Sequence, residues 1–249
     1  MTIEELFLDI SPASIDRGVL LGITQSHILA TDLAELSKET TEALAELASA
    51  AAHSGIDLRV ASGFRSFERQ QRIWDQKWLG NRPVLNDADQ ALSRADYLDS
   101  EWLCAILRFS ALPGTSRHHW GTDLDVYDAA AMEADDTVAL TVTEARGRFA
   151  DLHRWLDERM AQDQSCGFFR PYGLDRGGVS PEPWHLSYAP LATSYEGQLT
   201  PDSWMQEVDE RGLELQGFDC VRSHIDMIFA RFVALPKVWC PERYRPGRS

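Results

Sequence analysis

Ser116-Arg117-His118-His119-Trp120-Gly121-Thr122-Asp123-Leu124-Asp125-Val126-Tyr127 is the stretch on which the fold turns. From Gly121 onward it alternates with period two. Thr122, Leu124 and Val126 share one face, and Asp123, Asp125 and Tyr127 share the other, so it reads as a strand. Two carboxylates on one face of a half-buried strand are costly unless a cation or donors satisfy them. A turn at Gly121 folds His118 back towards Asp125. A histidine from a second segment then completes two nitrogens and one oxygen, and His185 in Glu182-Pro183-Trp184-His185 is the candidate. Three protein ligands with one position left open is the pattern of a catalytic zinc. Hydrolysis there also needs a proton shuttle, which Glu182 can provide without ligating the metal. Spacing alone leaves rival readings open. His-x6-Asp has many chance matches, and a Trp-His pair is commonly core packing. His27, His53, His153 and His224 lack such surroundings and read as surface or satisfied core residues.

Outward from this stretch the pattern alternates between elements. Apolar residues from Leu33 to His53 recur at helical spacing, and Gly55 stops them. Ile56 to Ala61 reads as a strand and Ser62-Gly63-Phe64-Arg65 as a turn. Ser66 caps a helix running to Leu79. Asn81 to Ser100 is a polar loop, Trp102 to Phe109 a short buried helix, and Thr143 to Met160 a longer one. Trp184 to Tyr188 is a short strand. Two helical stretches follow, Asp202 to Arg211 and Asp219 to Val233, and then a basic, Pro-rich tail. The first thirty residues are expected to wrap the surface. Arg69, Arg72 and Lys77 are expected on a solvated helix face. Helices mixed with non-sequential strands make the expected fold class α+β rather than a doubly wound sheet. One domain is expected over residues 1–249.

Composition narrows the function. The 249 residues carry 24 basic and 39 acidic side chains, a net charge of −15, which disfavours nucleic acid and anionic membranes as partners. A cationic or neutral small substrate, or a bound metal cation, suits the charge better. No apolar run approaches a membrane span. The opening MTIEELFLDISPAS has neither a positive region nor an apolar core, so the expected compartment is the cytoplasm. The four cysteines, with no CxxC pair, are expected to be free thiols.

Three motifs, taken together and in order, resemble those of the VanY-type D-alanyl-D-alanine carboxypeptidases, zinc metallopeptidases of the LAS superfamily. They are Ser62-Gly63-Phe64-Arg65-Ser66, Ser116-x-His118-x-x-Gly121-x-Asp123-x-Asp125, and Glu182-Pro183-Trp184-His185. The resemblance covers residues 35 to 190 and implies that they form a metallopeptidase core, a small antiparallel sheet carrying a zinc site and flanked by helices, with 191–249 a helical C-terminal extension. It implies a zinc enzyme with His118, Asp125 and His185 as ligands and Glu182 as general base. It implies that Arg65 pairs with the substrate carboxylate or the developing oxyanion, that Gln70 helps hold the terminal carboxylate, and that Ser116 touches substrate. Three features depart from the pattern. Asp123 stands where relatives often have a small apolar residue, and either orients a ligand or faces solvent. His119 offers an alternative ligand beside His118. The span from Gly80 to Ser110 is longer than a minimal core, and reads as a lid, a specificity loop or a solvated insertion. The substrate implied is a peptidoglycan stem peptide that loses its terminal D-alanine. A cytoplasmic enzyme would meet recycled tetrapeptides, which favours L,D- over D,D-carboxypeptidase action. A D-Ala-D-Ala dipeptidase, an endopeptidase and a non-catalytic zinc- or peptide-binding module are the rivals.

Overall fold

Ser37 divides the first part of the chain into sheet and helix. In the computed structural model, which describes residues 15–236 and 239–245, a single-turn helix α1 (Arg17–Leu20) precedes a hairpin of β1 (Ile28–Ala30) and β2 (Glu35–Ser37). The Ser37 hydroxyl accepts from the Thr40 N–H and caps α2 (Lys38–Ala52), so the helix begins later than its apolar spacing suggested. The expectation that the first thirty residues wrap the surface falls partly on residues 1–14, outside those described. Within the described part most of residues 15–30 are exposed or half-buried, and the buried Leu20 and Leu21 anchor the segment.

Next come β3 (Leu58–Ser62) and α3 (Phe67–Trp78), capped by Ser66 as expected. Helix α4 (Asp99–Leu107) starts three residues before the expected Trp102, because the Glu101 carboxylate accepts from the Leu98 N–H and satisfies its first turn. Strand β4 (Asp123–Asp128) follows. The helix expected over 143–160 is two helices, α5 (Val142–Arg146) and α6 (Ala150–Ala161), parted at Gly147, whose backbone leaves helical angles. Strands β5 (Phe168–Phe169) and β6 (His185–Tyr188) complete the sheet. Helices α7 (Ala189–Tyr195), α8 (Pro201–Arg211), α9 (Phe218–Ser223) and α10 (Ile225–Ile228) follow. The Pro-rich tail lies partly outside the described residues.

The main sheet is antiparallel in the order β3-β4-β6-β5, which makes the fold α+β. Its apolar face, with Leu58, Leu124, Val126, Phe168 and Leu186, packs against α2 and α6. The C-terminal helices do not cover that face. Trp204, Val208, Val221, Ile228 and Phe232 pack instead with Phe67, Trp74, Trp78, Trp102 and Leu107 of the α3–α4 layer. The opposite, acidic face of β4 is thus left to the loops. No helix among the described residues is long and apolar enough to cross a membrane.

Candidate metal centre

The register of β4 on β6 builds half of the site. Asp125 lies opposite His185 and Asp123 opposite Ser187, so all four project from one face, while Leu124 opposes Leu186 on the other. His118 arrives from a short 3-10 turn, Arg117–Trp120, which ends at Gly121 in the left-handed region (φ 69°). A Cβ at Gly121 would collide with Ile28 and stand 3.0 Å from the Ser37 amide nitrogen. The Gly121 carbonyl accepts from that Ser37 N–H, locking the turn against the hairpin.

His118, Asp125 and His185 are buried, and one donor atom from each falls within 4.8 Å of the others. The far nitrogen of each imidazole is held by an acceptor. His118 Nδ1 lies 2.8 Å from the Gly63 carbonyl, and His185 Nε2 lies 2.9 Å from Asp123 Oδ1. Each of those nitrogens therefore carries the proton. His118 Nε2 and His185 Nδ1 are left with free lone pairs, 3.4 and 3.3 Å from the Asp125 carboxylate. Asp125 Oδ1 is buried and accepts no hydrogen bond. Two imidazole lone pairs and an orphaned carboxylate oxygen facing one point repel one another unless a cation joins them. With their outer nitrogens anchored, they fit zinc.

Asp123 settles one alternative. It is fully buried, and its carboxylate also accepts from Arg117 Nε (2.8 Å), Thr122 Oγ1 (2.6 Å) and Ser187 Oγ (3.0 Å). Burial pushes the carboxyl up, but Arg117 and His185 outweigh it and hold the group below the ordinary carboxylate range. Asp123 therefore orients a candidate ligand and does not face solvent. His119 is likewise excluded as a ligand. Its Nδ1 lies 2.5 Å from the Arg65 carbonyl, and its Nε2 accepts from the Gly114 N–H. Burial holds it neutral, with its pKa lowered to about 3.

Glu182 Oε2 stands 3.4 Å from His185 Nδ1. Glu182, Arg65 and Ser116 line a cavity of about 490 Å³ that opens onto the three candidate ligands. Arg65 Nη2 donates to Ser62 Oγ (3.1 Å) and Nη1 to Gln70 Oε1 (2.9 Å), while Nε is buried with no acceptor. Gln70 is fully buried, does not line the cavity, and donates from Nε2 to the Ala111 carbonyl. It is placed to aim Arg65. Trp184 lines the cavity as well. The segment after Gly80 supplies a wall of that cavity through Arg82, Pro83, Leu85, Asp87 and Asp89.

Sequence reasoning missed three residues. Lys77, expected on a solvated face with the exposed Arg69 and Arg72, is only 9% exposed and lines the cavity. The signal was present, since Lys77 falls three and seven residues after Trp74 and Gln70 on one helix face. Arg117 is buried between Asp123 and Glu196, which no pattern within its motif announces. Tyr172 stacks edge-on against His185 with ring centroids 5.0 Å apart, brought there by a loop without periodicity.

The family model of VanY D-alanyl-D-alanine carboxypeptidases matches residues 33–191, more than half of the 249. An uncharacterised protein of Haemophilus influenzae is 31% identical over 125 residues, 49% of this chain and 92% of that protein. A D-alanyl-D-alanine carboxypeptidase of Enterococcus faecalis is 33% identical over 148 residues, which are 58% of this chain but 45% of that enzyme, so the chain spans under half its length. A solved structure of a vancomycin-resistance D,D-pentapeptidase VanY with Zn(II) aligns over 72% of this chain and 88% of its own. Its sequence identity is 28% and the TM-score 0.47. On the extent of the family match, the chain belongs to the VanY D-alanyl-D-alanine carboxypeptidase family.

Proposed function

We propose that the protein is a zinc-dependent carboxypeptidase that removes the C-terminal D-alanine from peptidoglycan stem peptides. The observation that carries this is the convergence of His118 Nε2, Asp125 and His185 Nδ1, each imidazole fixed from behind, with Glu182 and Arg65 lining the same cavity. A zinc ion held by those three side chains supplies Lewis acidity for acyl transfer to water. Glu182 takes the proton of the attacking water and returns it to the departing amine of D-alanine. Arg65, with two of its nitrogens fixed by Gln70 and Ser62, pairs with the substrate's terminal carboxylate or with the developing oxyanion. Ser116 contacts the substrate from the cavity wall. Within this class the reading favours L,D cleavage of tetrapeptide ends during wall recycling. The four free thiols accord with the reducing compartment in which recycled muropeptides are met.

The test is Glu182→Gln. It should keep stoichiometric zinc by elemental analysis and release D-alanine about a hundredfold more slowly or worse. Undiminished turnover would remove Glu182 from the mechanism. Mass spectrometry of a mixed muropeptide pool then distinguishes the bonds: loss of one alanine from tetrapeptides supports the L,D reading, and loss from pentapeptides alone replaces it with D,D cleavage.

A further inference from the structure

Lys77 is the buried cation that this mechanism does not use. Its ammonium lies in the wall of the substrate cavity, and its hydrogen bond goes to a neutral partner, Ser110 Oγ, at 2.6 Å. Arg82 lines the same wall. Among the described residues neither it, Lys77 nor Arg65 is within ion-pair distance of a carboxylate. In a chain of net charge −15, three cations without a counter-ion around one cavity are conspicuous. Burial and the nearby guanidinium groups of Arg82 and Arg65 lower the Lys77 pKa to about 8, against the pull of Glu182. A charge held at such a cost fits a site that an anion completes.

One carboxylate does not account for all three. Arg65 is held by Ser62 and Gln70, while Lys77 reaches Ser110, so the two cations are anchored at different points of one cavity. A dipeptide end whose penultimate side chain is a four-carbon acid presents two carboxylates, roughly 10 Å apart when extended and closer when bent. Asp89 lines the same cavity and, among the described residues, forms no ion pair and accepts at its carboxylate from Thr143 Oγ1 alone, at 2.7 Å. It offers an anionic partner for an ammonium beside the second carboxylate.

We propose that Lys77 and Arg82 form a specificity subsite for a second substrate carboxylate, at the tip of the side chain preceding the scissile bond, so that the preferred stem peptide carries a diamino diacid there. This rests on the stem-peptide reading above. Two synthetic tetrapeptides test it, one with a diaminopimelate-type and one with a lysine-type penultimate residue. D-alanine release gives kcat/KM, and calorimetry gives affinity. The wild type should favour the diacid peptide by about tenfold or more, through KM. Lys77→Met should compress that ratio to within about threefold. Arg82→Gln, at an exposed side chain, should compress it in the same direction and serves if Lys77→Met does not fold. A wild type without preference, or variants that weaken both peptides equally and preserve the ratio, would overturn the subsite. If neither peptide releases D-alanine, the stem-peptide reading fails on its own. The calorimetric ratio still decides the subsite, a preference lost in the variants upholding it and its absence overturning it.

Discussion

Replacing Asp123 by Asn separates the charge behind His185 from the shape that carries it. Asp123 Oδ1 receives two N–H donors, from Arg117 Nε and His185 Nε2, which cannot reverse. Oδ2 receives two hydroxyls, from Thr122 and Ser187, which can rotate and become acceptors. An asparagine with its oxygen at Oδ1 and its amide nitrogen at Oδ2 therefore keeps all four contacts. What it loses is the negative charge that raises the basicity of the His185 imidazole. Loss of such an outer partner typically costs 10–100-fold in metal affinity, about 1.4–2.8 kcal/mol. Competition for zinc against a chromophoric chelator should show that decrease, with the secondary structure of the metal-free protein unchanged by circular dichroism. Asp123→Ala is the harsher control, because it strands Arg117 and three further donors in a buried space. Breaking a buried ion pair costs about 3–5 kcal/mol, enough to lower the melting temperature visibly. A zinc affinity in Asp123→Asn within threefold of the wild type would refute the reasoning, since the second imidazole would then owe nothing to the charge behind it.

His118→Ala should lose zinc while His119→Asn retains it, and elemental analysis reversing that order would exchange the two assignments. Leu124→Ala, at the fully buried centre of the sheet, should cost about 2–5 kcal/mol by urea unfolding, and a loss under 1 kcal/mol would mean that the α2–sheet core had repacked. His153 is buried beside Arg170, and its pKa is lowered to about 4, first by burial and then by that positive charge. A folded-state value below the unfolded one means that the unfolded chain binds the proton more readily. Stability contributed by neutral His153 is therefore complete above about pH 6.5 and falls between there and pH 4, by up to about 1.4 kcal/mol per pH unit. His153→Gln should flatten the profile in that window, and an unchanged slope would exclude His153 as its source.

Much of the candidate site is legible in the chain because it rests on short-range geometry. Period-two alternation put Asp123 and Asp125 on one face before any partner strand was known. Ser66, with its cap and the helix behind it, fixed where α3 begins and so where Arg65 sits. Less legible were the features set by contacts between distant segments. Whether Asp123 faced water or a ligand depended on Arg117 and Ser187 arriving from elsewhere. The hairpin of β1 and β2 is only three residues a side, too short for alternation to announce it. Lys77 misled because lysine is so rarely buried that composition outweighed its place on the Gln70–Trp74 face. The break at Gly147 was visible as a residue, but a single glycine is often tolerated in a helix, and only packing decided that here it is not.

Arg117 gives the buried pair with Asp123 a longer reach. Its other nitrogen meets Glu196 at 2.5 Å, five residues beyond the end of the family match at 191. The guanidinium that pairs with Asp123 behind His185 is thus shared with a carboxylate from outside the family match. The stretch after 191 is consequently no detachable appendage. A graft of residues 33–191 onto another scaffold would carry all three candidate ligands and Asp123, and still strip Arg117 of its second carboxylate partner, Glu196.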